Sequence, residues 1–154
     1  MTEKDVLVGP AGEGDYEWCA RLMASSEPWI TLKRGFEDCR ARCRHPEYVL
    51  LVARHEDQPV GFCLLHPRGL AGSPYVASIA VAAERRGCGI GAALMAHAER
   101  QARRSGNIFL CVSSFNTGAR RFYERLGYAA VGELKDYIID GASEILMRKR
   151  LAPA

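Results

Sequence analysis

The chain has 154 residues and a formal net charge of +3; 48% of its residues are hydrophobic and 25% are charged. This length and composition predict a single domain, residues 1–154, with a substantial hydrophobic core. No apolar run approaches the roughly 18 to 20 residues that cross a bilayer, and the N-terminus lacks the apolar stretch of a signal peptide. We therefore expect a cytoplasmic protein without a membrane partner.

The first half of the chain predicts a strand, two helices and three further strands. Apolar residues recur at helical spacing over residues 16–23, which indicates the first helix. Asp57-Gln58-Pro59 predicts a turn between two of the later strands, and residues 68–74 predict a loop before the last one. The predicted bounds are 5–11 for the first strand, 13–26 and 31–45 for the helices, and 47–55, 60–67 and 75–82 for the later strands.

The second half predicts two helices and three strands. Gly106 fits the end of the first helix and Asn116 the start of the second. The strand between them is continuously apolar, which is typical of burial on both faces, and Asp140-Gly141 predicts a tight hairpin turn. The predicted bounds are 90–106 and 116–127 for the helices, and 107–114, 128–140 and 142–151 for the strands. The order βααβββαβαββ predicts an α/β fold with a mixed sheet of about seven strands and four helices.

Six cysteines lie at positions 19, 39, 43, 63, 88 and 111, with no CxxC pair among them. In a cytoplasmic protein they are expected to be reduced and mostly packed. Cys39, Cys43 and His45 are close enough in sequence for a metal clip. A zinc site needs about four ligands, however, and the sequence offers no second cluster, so we predict no metal.

Positive charge is concentrated in one part of the chain. Between Arg85 and Arg125 there are eight arginines and two glutamates, a local charge of +6 in a chain whose total is +3. A solvated helix face explains many such runs, but here the excess surrounds a glycine-rich turn, which favours an anionic ligand. No nucleic-acid recognition motif or aromatic platform accompanies the arginines, so we expect no nucleic-acid partner.

Residues 84–95, ERRGCGIGAALM, place Gly87, Gly89 and Gly91 between a predicted strand and a predicted helix. The N–H groups of such a turn and of the first helical turn point the same way, and the helix dipole adds partial positive charge. Glycine lacks the Cβ atom that would hold a phosphate away. A mere connecting turn would not need three glycines, so the segment predicts an anion site.

Two common phosphate-binding motifs fit this loop poorly. A P-loop requires Gly-Lys followed by Ser or Thr, whereas Gly91 precedes two alanines. The dinucleotide pattern GxGxxA matches Gly87, Gly89 and Ala92, but that motif opens the first βαβ unit and needs an acidic residue after the next strand. Several strands precede this loop and the next strand ends CVSSFN, without an acid. NAD binding is therefore not favoured.

Two segments together resemble the signatures of the GNAT superfamily of N-acetyltransferases. Residues 78–94, SIAVAAERRGCGIGAAL, are similar to its acetyl-CoA-binding signature, Q/R-x-x-G-x-G/A after a strand. Residues 116–128, NTGARRFYERLGY, fill every position of its second signature, N-x-x-A-x-x-F-Y-x-x-L-G-F/Y. The order of the predicted elements also matches, so the resemblance covers nearly the whole chain and implies a GNAT-like fold.

The resemblance implies a site for acetyl-CoA as co-substrate. In this family the strand before the glycine loop and the strand after its helix splay apart, and pantetheine lies in the gap. Strand backbone groups bond the pantetheine, the glycine loop surrounds the pyrophosphate, and the asparagine of the second signature reaches the cofactor as well as capping a helix. The implied cofactor-binding residues are Ile79, Ala80, Val81, Arg86, Gly87, Cys88, Gly89, Ile90, Gly91, Ala92, Asn116, Ala119 and Phe122.

The resemblance also implies a catalytic role for Tyr123, beside the thioester sulfur. Its helical spacing from Ala119 and Leu126 is equally that of a core aromatic. A phenol with a pKa of about 10 can protonate a departing thiolate whose thiol has a pKa of about 8.5. The implied reaction is direct attack of a primary amine on the acetyl carbonyl in a ternary complex, with a backbone N–H near Ala80 or Val81 stabilising the oxyanion.

The sequence leaves the general base and the acceptor open. Many family members carry a glutamate on the strand before the glycine loop, whereas this chain has only Tyr75 and Ser78 there; His66, Glu27 or a water are the other candidates. Glu27 and Trp29 lie where the family walls the acceptor side, and there they could meet a cationic amine. Trp29 fits packing in the core equally well.

A non-catalytic acyl-CoA-binding sensor is the alternative function, because it would keep the glycine loop without needing Tyr123. For an enzyme, the acceptor could be a peptide N-terminus, a lysine side chain, a free amino acid or a polyamine. The C-terminal hairpin, residues 137–151, offers a strand edge through which a homodimer could form.

Overall fold

Strands and helices follow one another in the predicted order in a computed structural model that describes residues 5–152. The helices are α1 (Asp15–Ala24), α2 (Phe36–Cys43), α3 (Ile90–Ala102) and α4 (Thr117–Arg125). The strands are β1 (Leu7–Pro10), β2 (Val49–His55), β3 (Gln58–Leu70), β4 (Ser73–Val81), β5 (Asn107–Ser113), β6 (Ala129–Lys135) and β7 (Ser143–Arg150). None of the helices in this part of the chain is long and apolar enough to cross a membrane.

One mixed sheet contains all of these strands, in the order β1-β2-β3-β4-β5-β7-β6. Neighbouring strands of the sheet are antiparallel except β4 and β5, which run parallel. These two strands pair only at Tyr75 with Phe109 and at Val76 with Leu110. Beyond this point β4 stays paired with β3 as far as Val81, and β5 stays paired with β7. The two strands therefore diverge and leave a gap in the middle of the sheet, as the resemblance to the GNAT superfamily implies.

A hydrophobic core lies on each side of the sheet. On the side that we call the α3 face, α3 and the tyrosines Tyr123 and Tyr128 pack against strands from both halves of the sheet. On the other side, the α1 face, the cluster contains residues of α1 and α2 and of β2, β3 and β4. The largest fully buried side chains include Leu94, Met95, Ile108, Leu110 and Met147 on the first side and Met23, Phe62 and Leu64 on the second.

The six cysteines are free thiols, as expected, and four of them are fully buried. Burial raises the pKa of Cys43 and that of Cys63 to about 12, so both thiols stay protonated at neutral pH. Among residues 5–152 no group of three or more His, Cys, Asp or Glu side chains is arranged to hold a metal ion. The four buried cysteines belong to the hydrophobic cores described above: Cys63 on the α3 face, and Cys19, Cys39 and Cys43 on the α1 face.

Two of the predicted turns are wrong in position. The β2–β3 turn consists of Glu56 and Asp57, with φ of 50° and 65°, and not of residues 57–59. The predicted loop over 68–74 is a hairpin, because β3 continues to Leu70 and β4 begins at Ser73. Residues 71 and 72 both have positive φ there too. Two-residue turns with positive φ match the twist of the strands that they join. Neither of these turns contains the Asn-Gly or Asp-Gly pair that would predict it from the sequence.

Several element bounds also differ from the prediction, most of all at α2 and β6. Helix α2 begins at Phe36 and not at residue 31, because residues 27–33 form turns and Gly35 takes the N-cap position. Strand β6 ends at Lys135, so residues 136–142 form a longer loop in place of a tight turn at Asp140-Gly141. That loop is closed by the Gly141 N–H, which donates to Asp136 Oδ1 at 2.7 Å.

Strand β5 is not buried on both faces, contrary to the prediction. Ile108, Leu110 and Val112 are buried on the α3 face, whereas Phe109 and Cys111 are only half-buried on the α1 face. The reason is that α1 and α2 cover β2, β3 and β4, and the described residues of their core include none from β5 or β7. The α1 face of β5 is therefore partly exposed at Phe109 and Cys111, whereas Ser113 at the end of the strand is buried.

Gly61 allows α3 to approach the sheet closely, and we expect Gly61→Ala to destabilise the protein. An added Cβ would lie 3.0 Å from the Ala80 carbonyl oxygen and 3.1 Å from Ile90 Cγ2. The expected loss is about 1–3 kcal/mol in the free energy of unfolding, since a backbone oxygen cannot move aside. Urea denaturation measures it, and Gly9→Ala is the control because a Cβ there meets nothing within 4 Å. Equal stability of Gly61→Ala and the wild type would contradict this packing.

Candidate active site

The glycine loop adopts a conformation that requires glycine at two positions. After β4 a short 3-10 turn covers Ala83–Arg85, and α3 begins at Ile90. Between them Gly87 has φ of 80°, and Gly89, the N-cap of α3, has φ of 81°. This left-handed region is costly for other L-residues. The backbone conformation therefore accounts for two of the three glycines.

Gly91 has a different role from the other two glycines. An added Cβ on Gly91 would lie 3.0 Å from Cζ of Phe122. The missing side chain thus lets α4 pack against the first turn of α3. The prediction that all three glycines serve the approach of a ligand is therefore incomplete, because what closely approaches Gly91 in this structure is the Phe122 ring.

The N-terminus of α3 presents backbone donors beside the gap. The Ala93 N–H donates to the Gly89 carbonyl at 3.0 Å, which starts the helical hydrogen-bond pattern. The N–H groups of residues 90–92 consequently point out of the helix end, where the helix dipole adds partial positive charge. Arg86 is exposed next to them, and Cys88 is half-buried with its Sγ 3.9 Å from the Arg86 carbonyl oxygen. This arrangement suits an anion with several oxygen acceptors.

The edge of β4 that faces the gap presents backbone groups from alternate residues. The Ala82 N–H donates to the Val60 carbonyl of β3 at 2.9 Å, and Ala80 pairs with Phe62. Because successive residues of a strand direct their backbone groups to opposite edges, Ile79 and Val81 direct theirs toward the gap. Of the two residues predicted to stabilise an oxyanion, this geometry favours Val81 over Ala80.

Tyr123 lies on the α3 face, only 6% exposed, and belongs to the core there. Its ring centroid is 5.2 Å from that of Phe122 and 6.0 Å from that of Tyr128. Burial raises its pKa, and the neighbouring Cys63 thiol adds to the effect. The phenol therefore remains protonated at neutral pH and is available as a proton donor, while it also fills the core.

Asn116 caps α4, as predicted, at the end of β5. Its side-chain oxygen accepts from the N–H of Ala119 at 3.4 Å. Gly127, which follows the helix, has φ of 99° and closes it as predicted. The second signature thus begins a capped helix after β5, and its Tyr123 packs in the core of the α3 face.

The residues considered as a general base lie in different surroundings. The Ser78 hydroxyl donates to the Ala77 carbonyl at 2.7 Å and accepts from Arg42 Nε at 3.1 Å, so its proton is already engaged. His66 Nε2 lies 3.3 Å from a carboxylate oxygen of Glu47. Glu27 is exposed, and both of its oxygens accept from Thr31, which lowers the pKa of its carboxyl.

Tyr75 lies on β4 at the point where the gap begins. Burial raises the pKa of its phenol, and its hydroxyl is hydrogen-bonded with the Cys111 thiol of β5. Like Ser78, it is thus engaged with a neighbour. A protonated phenol is a poor proton acceptor, so this geometry does not favour Tyr75 as the base.

Trp29 packs in the hydrophobic core of the α1 face and is only 8% exposed. Of the two alternatives that the sequence left open, the structure favours the packing role. Contact of Glu27 and Trp29 with an acceptor stays a prediction.

Arg42 and Glu144 are two polar groups near the gap that the sequence analysis missed. Arg42 of α2 donates through Nη2 to the Ala77 carbonyl at 3.1 Å and so holds a bulge of β4, where Ala77 is the extra residue between Val76 and Ser78.

Glu144 of β7 is 8% exposed and accepts from the Ser113 hydroxyl at 2.6 Å. Alternation with buried Ile145 and Met147 could have predicted that Glu144 points to the other face of the sheet. Only the topology, however, brings β7 beside β5.

Comparison with known proteins matches the chain to one family. Residues 15–128 match the acetyltransferase (GNAT) family. An uncharacterized N-acetyltransferase of Methanocaldococcus jannaschii is 42% identical over 82 residues, which are 51% of this chain and 53% of the relative. The chain thus spans about half the length of this curated relative.

Solved structures resemble the chain over nearly its whole length. A protein from Desulfovibrio desulfuricans assigned to the GNAT family has a TM-score of 0.81 at 24% identity, covering 96% of this chain and 99% of its own. An aminoglycoside 6′-N-acetyltransferase, complexed with coenzyme A, has a TM-score of 0.75 at 20% identity, covering 96% and 98%. At these identities the likeness concerns the fold. Together with the family match, which covers most of the sequence, it shows that this chain belongs to the GNAT family of acetyltransferases.

Proposed function

We propose that the chain transfers an acetyl group from acetyl-CoA to a primary amine by direct attack within a ternary complex. The observation that carries this proposal is the gap between β4 and β5, with the donor-rich start of α3 after β4. The protonated phenol of Tyr123, in the core of the α3 face, supports it. A neighbour of the same fold is complexed with coenzyme A, which supports the choice of cofactor.

The glycine loop supplies the binding energy for the nucleotide end of the cofactor in this proposal. The amides of residues 90–92 and the loop before them would hold the pyrophosphate, with Arg86 exposed beside it. The edge of β4 at Ile79 and Val81 would hydrogen-bond the pantetheine arm as a neighbouring strand does. Holding both reactants in one gap converts a bimolecular encounter into a reaction within a complex.

Tyr123 and Val81 would act on the reacting atoms. The amine nitrogen bonds the acetyl carbon while the C–S bond breaks, and the Val81 N–H stabilises the negative charge that develops on the carbonyl oxygen. The Tyr123 hydroxyl donates its proton to the departing thiolate. Burial raises the pKa of this phenol, so its proton is present throughout the neutral range. The phenol is a weaker acid than the thiol, so the transfer is completed only because the phenolate regains a proton from the nitrogen of the product.

A sensor that binds acyl-CoA without catalysis is the alternative. Release of CoA thiol from acetyl-CoA, measured across a panel of peptide, amino-acid, polyamine and aminoglycoside amines, separates the two functions. The proposal expects at least one amine to stimulate release. Tight CoA binding without stimulation by any amine would support the sensor.

We expect Tyr123→Phe to lower kcat by about 10²- to 10⁴-fold, the range for loss of one general acid. The Kd for CoA should change little, because only the hydroxyl is removed. Steady-state thiol release and calorimetric CoA titration measure the two quantities. Tyr128→Phe is the matched control, since it also removes a buried hydroxyl, one that donates to Glu99 at 3.0 Å. Full activity of Tyr123→Phe would overturn the role of general acid.

We expect Gly87→Ala to weaken CoA binding by about 5- to 30-fold. Alanine is strained by about 1–2 kcal/mol at this φ, so the free loop relaxes to another conformation, and binding must then return it to the conformation seen here. Gly106→Ala is the matched control. Its φ is 77° against 80° for Gly87, and a Cβ meets nothing within 4 Å at either position, but it follows the other end of α3. Calorimetric titration should show that only the first variant loses affinity. Equal CoA affinities would remove the loop from the binding site.

A further inference from the structure

Glu144 is a buried carboxylate whose position no packing requirement explains. It lies on β7 with the Ser113 hydroxyl donating to it at 2.6 Å, and the residue is 8% exposed. Its two neighbours on the strand, Ser143 and Ile145, point to the opposite face. Burial of a carboxyl group lowers the stability of the folded protein unless the group is paired or hydrogen-bonded. Buried carboxyl groups of this kind are found preferentially at functional sites.

The register of the sheet places Glu144 one strand away from the gap, across β5. Ser113 and Glu144 are directly paired across β5 and β7. Ser113 lies three positions beyond Leu110, the last residue of β5 that pairs with β4. Glu144 therefore stands next to the part of β5 from which β4 has already separated.

Glu144 and Tyr123 lie on opposite faces of the sheet. Leu110 and Val112 share the α3 face with Tyr123, so Cys111 and Ser113 point to the α1 face, and Glu144 follows them. On that face Phe109 and Cys111 of β5 are half-buried, whereas Ser113 is buried beside Glu144. A molecule that enters from the α1 face would approach the gap over Cys111, next to the Ser113–Glu144 pair.

We propose that Glu144 is the catalytic base, which takes a proton from the ammonium group of the acceptor on the face opposite Tyr123. This inference rests on the proposed acetyl transfer. Glu144 accepts one proton from the ammonium, and the amine so formed attacks the acetyl carbon. The C–S bond then breaks and Tyr123 protonates the thiolate. The remaining excess proton on nitrogen restores Tyr123, and Glu144 releases its proton to solvent, so one proton is released per acetyl group transferred.

The surroundings of Glu144 favour this role. Burial raises the pKa of its carboxyl, whereas the hydrogen bond from Ser113 lowers it, and burial is the larger effect. A carboxylate with a raised pKa is a stronger base than an exposed one. The ionisable groups that face it are Tyr75 of β4 and Cys111 of β5, with Arg42 of α2 next to Tyr75. From β6 it faces Leu134.

Glu144→Gln tests the proposal, because glutamine keeps the shape and can still accept from Ser113 but cannot take a proton. With the amine that the wild type uses best, kcat should fall by about 10²- to 10⁴-fold while the Kd for CoA is kept. The ascending acidic limb of kcat against pH should disappear, which a merely structural role would not cause.

Glu133→Gln is the matched control. Glu133 of β6 also accepts from a serine hydroxyl at 2.6 Å, that of Ser143, but it is exposed. Its variant should keep the activity and the pH profile of the wild type. Wild-type activity and an unchanged acidic limb in Glu144→Gln would overturn the inference while leaving the acetyl transfer intact. Absence of thiol release from the wild type with every amine would overturn both.

Ser113→Ala gives a second test that does not remove the base. Because the Ser113 hydrogen bond stabilises the ionised form, its loss raises the pKa of Glu144 further. The base is then protonated over a wider range, so the acidic limb of kcat should move to higher pH. A limb that stays in place or moves to lower pH would count against Glu144.

Discussion

The separation of β4 from β5 is the constraint on which the rest of the structure depends. Two residue pairs join these parallel strands, and each strand then continues with one edge that pairs with no other strand of residues 5–152. Backbone groups left in this way need hydrogen bonds from a ligand or from water. The sheet tolerates the opening because β3 holds β4 up to Val81 and β7 holds β5 along its whole length. The fold thus maintains an edge that a pantetheine arm could occupy.

Close packing by α3 keeps the two halves of the sheet together around the gap. Its buried residues Leu94 and Met95 belong to the same core as Ile108 and Met147 of the second half. The approach depends on small residues, since a side chain at Gly61 would strike the β4 backbone and Ile90. The same helix directs its N-terminus at the gap, so one element both stabilises the divided sheet and supplies the donors for an anion.

Local backbone demands account for what the sequence could predict. A positive φ favours glycine at position 89 and a helix cap favours asparagine at position 116, so both features are visible in the sequence. The sequence therefore predicts the starts of α3 and α4 correctly. The turn at Glu56 and Asp57 leaves no such trace, because non-glycine residues adopt positive φ there. The exposure of Phe109 was not predictable either, since it depends on where α1 and α2 end up on the sheet. Glu144 was missed because its partner Ser113 is 31 residues away along the chain.

The two faces of the sheet differ in how they would recognise their ligands. This difference explains why the sequence predicted the residues of the α3 face better than those of the α1 face. On the α3 face the cofactor would be held mainly by backbone groups, so the sequence need only supply glycines and caps at fixed spacings. On the α1 face the groups around the gap are side chains from α2, β4, β5 and β7, including Arg42 and Glu144. Each comes from a separate segment and can change without altering the backbone. Under the proposed function, acceptor choice would therefore depend on side chains that can change without altering the glycine loop or α4.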